Sequence, residues 1–204
     1  MRVSYWSSQK PVRRARAVDP AAIATAAIDL LDQGGFRALT VRAVAGRIAV
    51  APASLYSRVN SVDDVFDLAL DAALGRDPEI QKALAQADIH VLLIEYYHHL
   101  VRRPWACQVI GMRAPRGPNY LRFSERMIQL LSEMQVSVPL ATAYALSNFV
   151  IGCATTASAA NDEPEASIDN SLAPIYAQLH AVQDKTPEQI VESGLSALVA
   201  LWSQ

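Results

Sequence analysis

Cysteine is scarce in this chain of 204 residues: Cys107 and Cys153 are the only two, and neither stands in a C-x-x-C pair. A disulfide scaffold, a thiol redox motif and a cysteine zinc site are thereby excluded, and a reducing cytosol suits such usage. Glycine numbers eight and nowhere builds a P-loop, a dinucleotide fingerprint or a G-x-S-x-G elbow. No stretch alternates apolar and polar residues with period two, so strand signals are missing. Arg13-Arg14 is followed by Asp19 and Asp29 rather than by an apolar run, which argues against a twin-arginine leader. One absence is local: residues 134–161 carry no charge, a run long enough to cross a bilayer of about 30 Å. Its polar residues, from Gln135 to Ser158, and its flanking acids Glu133, Asp162 and Glu163 describe a buried or interface helix instead.

What is present is ample apolar mass. At 51% hydrophobic residues, a chain of this length builds one large core or two smaller ones without metal or disulfide. Charge is divided unevenly. The total is 18 basic against 20 acidic side chains, yet residues 1–60 hold nine basic against three acidic, net +6, leaving −8 for the remainder. A basic head on an acidic body points to nucleic acid on one side only.

Periodicity is helical throughout, predicting an all-α fold. Asp19-Pro20 opens a helix that Gly34-Gly35 ends; Thr40 caps a second, with Val41, Val44 and Ile48; Pro52 starts a third through Leu55 and Tyr56. Ser61 with Asp64 reads as a capping box opening a fourth helix that closes at Gly75. Longer helices follow at 88–101, about 119–134, 138–160, near 171–182 and 187–202, with a Pro/Gly-broken stretch over 105–119 and an acidic loop at 161–170. The expected division is a flexible basic arm (1–18), a helix-turn-helix domain (19–60), a connecting helix (61–75) and a helical body for ligand binding and dimerisation (76–204).

A tight turn between the second and third helices is the helix-turn-helix arrangement, whose later helix enters the major groove. Residues 34–70 resemble the DNA-binding domain of the tetracycline-repressor (TetR) family at Gly35, Leu39, Thr40, Arg42, Val44, Ala45, Ile48, Val50, Leu55, Tyr56 and Val59. The resemblance implies DNA contacts from Thr40, Arg42, Pro52, Ala53, Ser54, Tyr56, Ser57 and Arg58. Their chemistry agrees: guanidinium forks for phosphate or guanine, short hydroxyls, and an alanine small enough to meet a thymine methyl. The chain departs from the family pattern twice. Val62 replaces a phosphate-binding lysine, leaving Ser61 and backbone amides for that contact. Ala49 replaces a glycine, which is tolerable where the turn keeps φ negative.

The body is similar to the same family at Gly111–Pro115 and at Ala141–Cys153. There the helices equivalent to 138–160 and 187–203 form a four-helix bundle between two subunits, which implies an interface of Tyr144, Ser147, Ile151, Gly152, Thr156, Leu195, Leu198 and Trp202. Arg102 stands where magnesium-dependent members have a histidine, so neither metal nor other cofactor is expected. A small-molecule site is expected among Tyr96, His99, Trp105, Met112, Arg113, Tyr120, Met127, Asn148 and Phe149, aromatic and polar groups gathered around the broken stretch. Glu95-x-x-His98 has the spacing of a di-iron helical enzyme, but its necessary second copy is missing. A helical scaffold without DNA binding leaves the +6 head unexplained. The reading is therefore a cytoplasmic, homodimeric repressor without catalytic residues, released from a palindromic operator by a small-molecule effector.

Overall fold

The computed structural model describes residues 4–7, 18–162, 168–182 and 185–202, and every regular element among them is helical. A short 3₁₀ turn, Tyr5–Ser7, precedes α1 (Pro20–Gly34), α2 (Val41–Arg47), α3 (Pro52–Leu55) and α4 (Val62–Gly75). The body comprises α5 (Pro78–Gln86), α6 (Ile89–Arg102), α7 (Pro104–Met112), α8 (Pro118–Glu133), α9 (Pro139–Asp162), α10 (Pro174–Ala181) and α11 (Pro187–Trp202).

Caps decide where most of these begin. Asp19 accepts the Ala21 amide at 3.0 Å with Pro20 beside it, and Thr40 accepts the Ala43 amide at 3.0 Å. Thr186 and Gln189 exchange amide bonds of 2.9 and 3.3 Å, a reciprocal capping box. The box expected at α4 is displaced: Ser61 accepts from Asp63, while Asp64 reaches back to the Asn60 amide at 2.7 Å.

Two helices lie where the sequence reading placed none. Asp77-Pro78 starts α5 by the same cap that starts α1, and Pro104, read as a terminator of α6, is also the first residue of α7. The broken stretch thus shrinks to residues 113–117.

Packing puts α4 at the centre. It lies along α1 on the head side and against α5, α7 and α8 on the body side. Leu55, Val59, Val65, Ala69 and Leu74, all fully buried, run the core from α3 through α4. The uncharged stretch Pro139–Ala159 of α9 is long and apolar enough to cross a membrane, yet α9 packs among α6, α7, α8 and α11, with Leu146 and Val150 fully buried. On the side of α9 toward α11, Phe149 fills the notch left by the missing side chain of Gly194.

The turn between α2 and α3 does not keep φ negative. Ala49 sits at φ +54°, left-handed backbone that costs an L residue about 1–2 kcal/mol. Ala49→Gly relieves that strain at the expense of a more flexible unfolded chain, and should stabilise the head by about 0.5–1 kcal/mol. A rise in melting temperature checks this; an unchanged or lower value contradicts it.

Candidate DNA-binding face and effector cavity

On the head, α3 and the turn after it bury Leu55 and Val59 and leave Pro52, Ala53, Ser54, Tyr56 and Ser57 exposed, with Thr40 exposed at the cap of α2 and Arg42 exposed on α2. The expected recognition residues therefore share one surface, except in part Arg58. Its Nε donates to the Val18 carbonyl at 2.7 Å, so this guanidinium fastens the start of α1 and is half-buried. Ser61 spends its hydroxyl on capping, and Asp63 and Asp64 stand in the same first turn, a poor place for phosphate. Of the expected arm, residues 1–3 and 8–17 lie outside the described residues. Ser4–Ser7 do not behave as a free tail: Tyr5 is 6% exposed and belongs to the core.

The body holds a cavity of about 380 Å³ between α6, α7, α8 and α9. Tyr96, Ile110, Phe123, Met127 and Ile128 supply apolar wall; Arg116, Ser124, Ser147 and Asn148 supply polar points. Tyr96 meets the ring of Phe123 at 4.6 Å and that of Tyr120 at 6.4 Å. Burial raises both phenols far above their ordinary pKa, so they remain neutral hydroxyl groups at the cavity wall.

Of the nine expected ligand residues, Tyr96, Tyr120, Met127 and Asn148 line this cavity. The other five lie elsewhere, for reasons visible in their contacts. Fully buried His99 binds Asp77 through Nδ1 at 2.8 Å, and the Trp105 indole N–H donates to Asp32 at 2.7 Å, fastening body to head. Arg113 is turned toward α4, Phe149 toward α11, and Met112 is exposed. Conversely Tyr144, Ser147 and Ile151, expected at the dimer interface, line the cavity. Leu195, another expected interface residue, is fully buried within the protomer; Gly152 and Thr156 are exposed, and Leu198 and Trp202 half-buried. Arg116 and Ser124 were missed, since nothing in their local sequence marks them as facing inward.

Between cavity and head stands a row of carboxylates on α4. Asp67 receives Arg113 through two bonds, Nε to Oδ1 at 2.8 Å and Nη2 to Oδ2 at 2.9 Å, and Asp63 receives Nη1 at 2.9 Å. One turn on, Asp71 accepts the Asn119 and Tyr120 amides at 2.9 and 3.0 Å, capping α8 from outside its own chain segment. A side chain at Gly117 would collide with Asp71, so the close approach requires glycine. Burial raises the Asp71 carboxyl above its ordinary value, against those amides, which pull it down.

Arg102 joins His99 on Asp77 at 2.8 Å, so the arginine aligned with the family's metal-binding histidine is held in an ion pair. Burial alone would raise the Asp77 carboxyl, but the His99 and Arg102 hydrogen bonds hold it well below the usual range. Burial lowers the His99 pKa despite the opposing pull of Asp77, so the folded protein keeps this imidazole neutral. Glu95 and His98 serve a structural pair, since His98 lies 3.5 Å from Glu95 and 2.6 Å from Glu188 on α11. A histidine with a depressed folded pKa makes the unfolded chain the better proton acceptor, so stability is lost as pH falls below about 6.5. Melting temperatures between pH 7.5 and 5 should drop more steeply for the wild type than for His99→Gln. Parallel curves would contradict this assignment.

The chain matches two family models, "Bacterial regulatory proteins, tetR family" over residues 23–67 and "Tetracyclin repressor-like, C-terminal domain" over 84–183. It is 36% identical over 155 residues, 74% of this chain, to an HTH-type transcriptional regulator of Saccharopolyspora erythraea. It is 26% identical over 138 residues, 65% of this chain, to the HTH-type transcriptional repressor DrrR1 of Streptomyces coeruleorubidus. The chain spans 66% and 51% of the lengths of these relatives. Its fold is similar to that of ActR from Streptomyces coelicolor in complex with actinorhodin, with a TM-score of 0.72 at 21% identity, over 91% of this chain and 96% of the other. With both halves matched in order and the fold shared along most of the length, the chain belongs to the TetR family of bacterial regulators.

Proposed function

We propose that this protein is a cytoplasmic, ligand-responsive transcriptional repressor that binds operator DNA as a homodimer and is released by an aromatic small molecule. The observation that carries the reading is the direct bonding of α4 to the cavity wall. Asp71 holds the amide of Tyr120, a cavity residue, while the same helix packs along α1 of the head. A ligand entering between Tyr96, Phe123 and Met127 bears on the first turn of α8, whose amides are bonded to α4, and α4 carries the head. Ligand and DNA then prefer different settings of one helix, and by linkage each weakens the other by the same factor.

The cavity's character selects the ligand class. Four aromatic rings and three isoleucines face a handful of hydroxyl, amide and guanidinium groups, which fits a planar polycyclic compound with oxygen substituents. Actinorhodin in the ActR structure supports this choice. Two copies would pair through the exposed stripe of α9 that includes Gly152 and Thr156, together with α11 and its 63% exposed Leu201. Paired heads reach successive major grooves about 34–36 Å apart, so the operator is a near-palindrome.

Genomic fragments retained by the purified protein supply the operator, and retention of no fragment contradicts the reading. Added 1,8-dihydroxyanthraquinone should lower operator affinity by about 5- to 150-fold; a hydroxyanthraquinone series that binds without this effect sinks the proposed induction. Arg42→Ala should cost about 1–3 kcal/mol if it meets a base, or flatten the salt slope by about one unit if it meets phosphate. Binding unchanged in both respects removes Arg42 from the interface.

A further inference from the structure

We infer that Tyr5 and Trp6 are positioning residues for DNA binding. Wedged between α4 and the turn that opens α8, they hold α4 in the setting in which the head engages DNA, and an occupant of the effector cavity acts on that wedge. This inference rests on the regulator reading above and adds to it a pair of residues outside both matched family segments.

The wedge is built from both sides. Tyr5 donates its amide to Asp67 Oδ2 at 2.9 Å, and Ser4 donates its hydroxyl to the same oxygen at 3.3 Å. That carboxylate is the one gripped twice by Arg113, so a single buried side chain joins three separate parts of the chain. The rings of Tyr5 and Trp6 meet edge to face at 5.0 Å. Buried Tyr5 lies within electrostatic reach of Arg58 and Asp64, the first of which binds the start of α1 and the second the Asn60 amide. Tyr5 thus faces the end of the recognition segment.

Trp6 faces the other way. It shares a crevice with Leu70 and Asp71 of α4 and with Pro115, Arg116, Gly117 and Tyr120. Pro115, Arg116 and Tyr120 also line the effector cavity. One thin wall therefore has the indole on one side and the ligand space on the other. Interiors packed at crystal-like density transmit such displacements rather than absorb them. A ligand that shifts the wall moves Trp6 against α4, and the bonds to Asp67 carry the shift to the helix that supports the head.

An element of this kind should behave as part of the switch. The full-length Trp6→Ala variant should mimic induction: its affinity for a genomic fragment selected by the wild type should fall at least tenfold without any effector. Trp6→Phe, which keeps a ring in the crevice, should stay within threefold of wild type. A residue that merely stabilises the fold would lower the melting temperature of Trp6→Ala yet leave DNA affinity within twofold when measured well below that temperature, and this result overturns the inference.

A second measurement does not require Trp6→Ala to fold. The emission of Trp6, taken as wild type minus Trp6→Phe, is followed as 8-anilinonaphthalene-1-sulfonate fills the cavity. A shift in the emission maximum of the difference spectrum is expected, beyond the loss of intensity that energy transfer to the probe causes at any distance within the protein. Saturation by the probe with that maximum unchanged means that the wall does not transmit, and overturns the link. A wild type that fails to bind the probe counts against the apolar cavity as an effector site, while the DNA measurement still decides the wedge. A wild type that selects no DNA overturns both.

Discussion

The guanidinium of Arg113 meets both oxygens of Asp67 in a place nearly closed to water, and the arrangement of the whole molecule hangs on that pair. Burying two charges is costly, and a paired geometry offsets the cost only when the remaining hydrogen-bonding capacity is also used. Here it is used. Asp63 takes a third guanidinium hydrogen, and the free lone pairs of Asp67 take Ser4 and Tyr5. The shared hydrogen bonds with Asp67 hold the arginine charged at any accessible pH. A polar network in a core is specific where an apolar contact is forgiving, since only one registration satisfies all its members. That property fixes α4 against the short 113–117 turn. With Asp71 on the first amides of α8, it makes the head and the body a single mechanical unit rather than two tethered domains.

Much of the fold was legible because its boundaries are set by short-range chemistry. Asp19-Pro20, Thr40, Ser61 and Thr186-Pro187 announce helix starts through bonds that each residue makes within its own turn. The reading failed where one signal had two meanings. Pro104 both ends α6 and begins α7, and Asp77, which the sequence reading passes over, caps α5 while also answering His99 and Arg102 from a distance. Ala49 shows a different limit: the alanine was tolerable on the condition that the turn keeps φ negative, and the packed turn instead imposes φ +54° on the residue.

The two candidate sites differ in legibility for a physical reason. The DNA-binding face occupies twenty-odd consecutive residues, so exposure follows from helical phase: Leu55 and Val59 in, Tyr56 and Ser57 out. The cavity is assembled from four helices, and which side of each helix faces it depends on partners far away in sequence. Composition gathered Tyr96, Tyr120 and Met127, which line the cavity, but Trp105 was drawn off by Asp32 and Arg113 by Asp67, commitments that no local pattern records.

Along α9, Tyr144 and Asn148 rim the cavity, and one and two turns further on the same stripe continues as exposed Gly152 and Thr156. Under the proposed function this one surface would serve the effector at one end and a second subunit at the other, subjecting both to mass action. Occupancy by either changes the free energy of the stripe that the other must use. Effector potency then becomes a function of how much of the protein a cell contains: a scarce regulator, mostly unpaired, and an abundant one, mostly paired, would respond to the same compound at different concentrations.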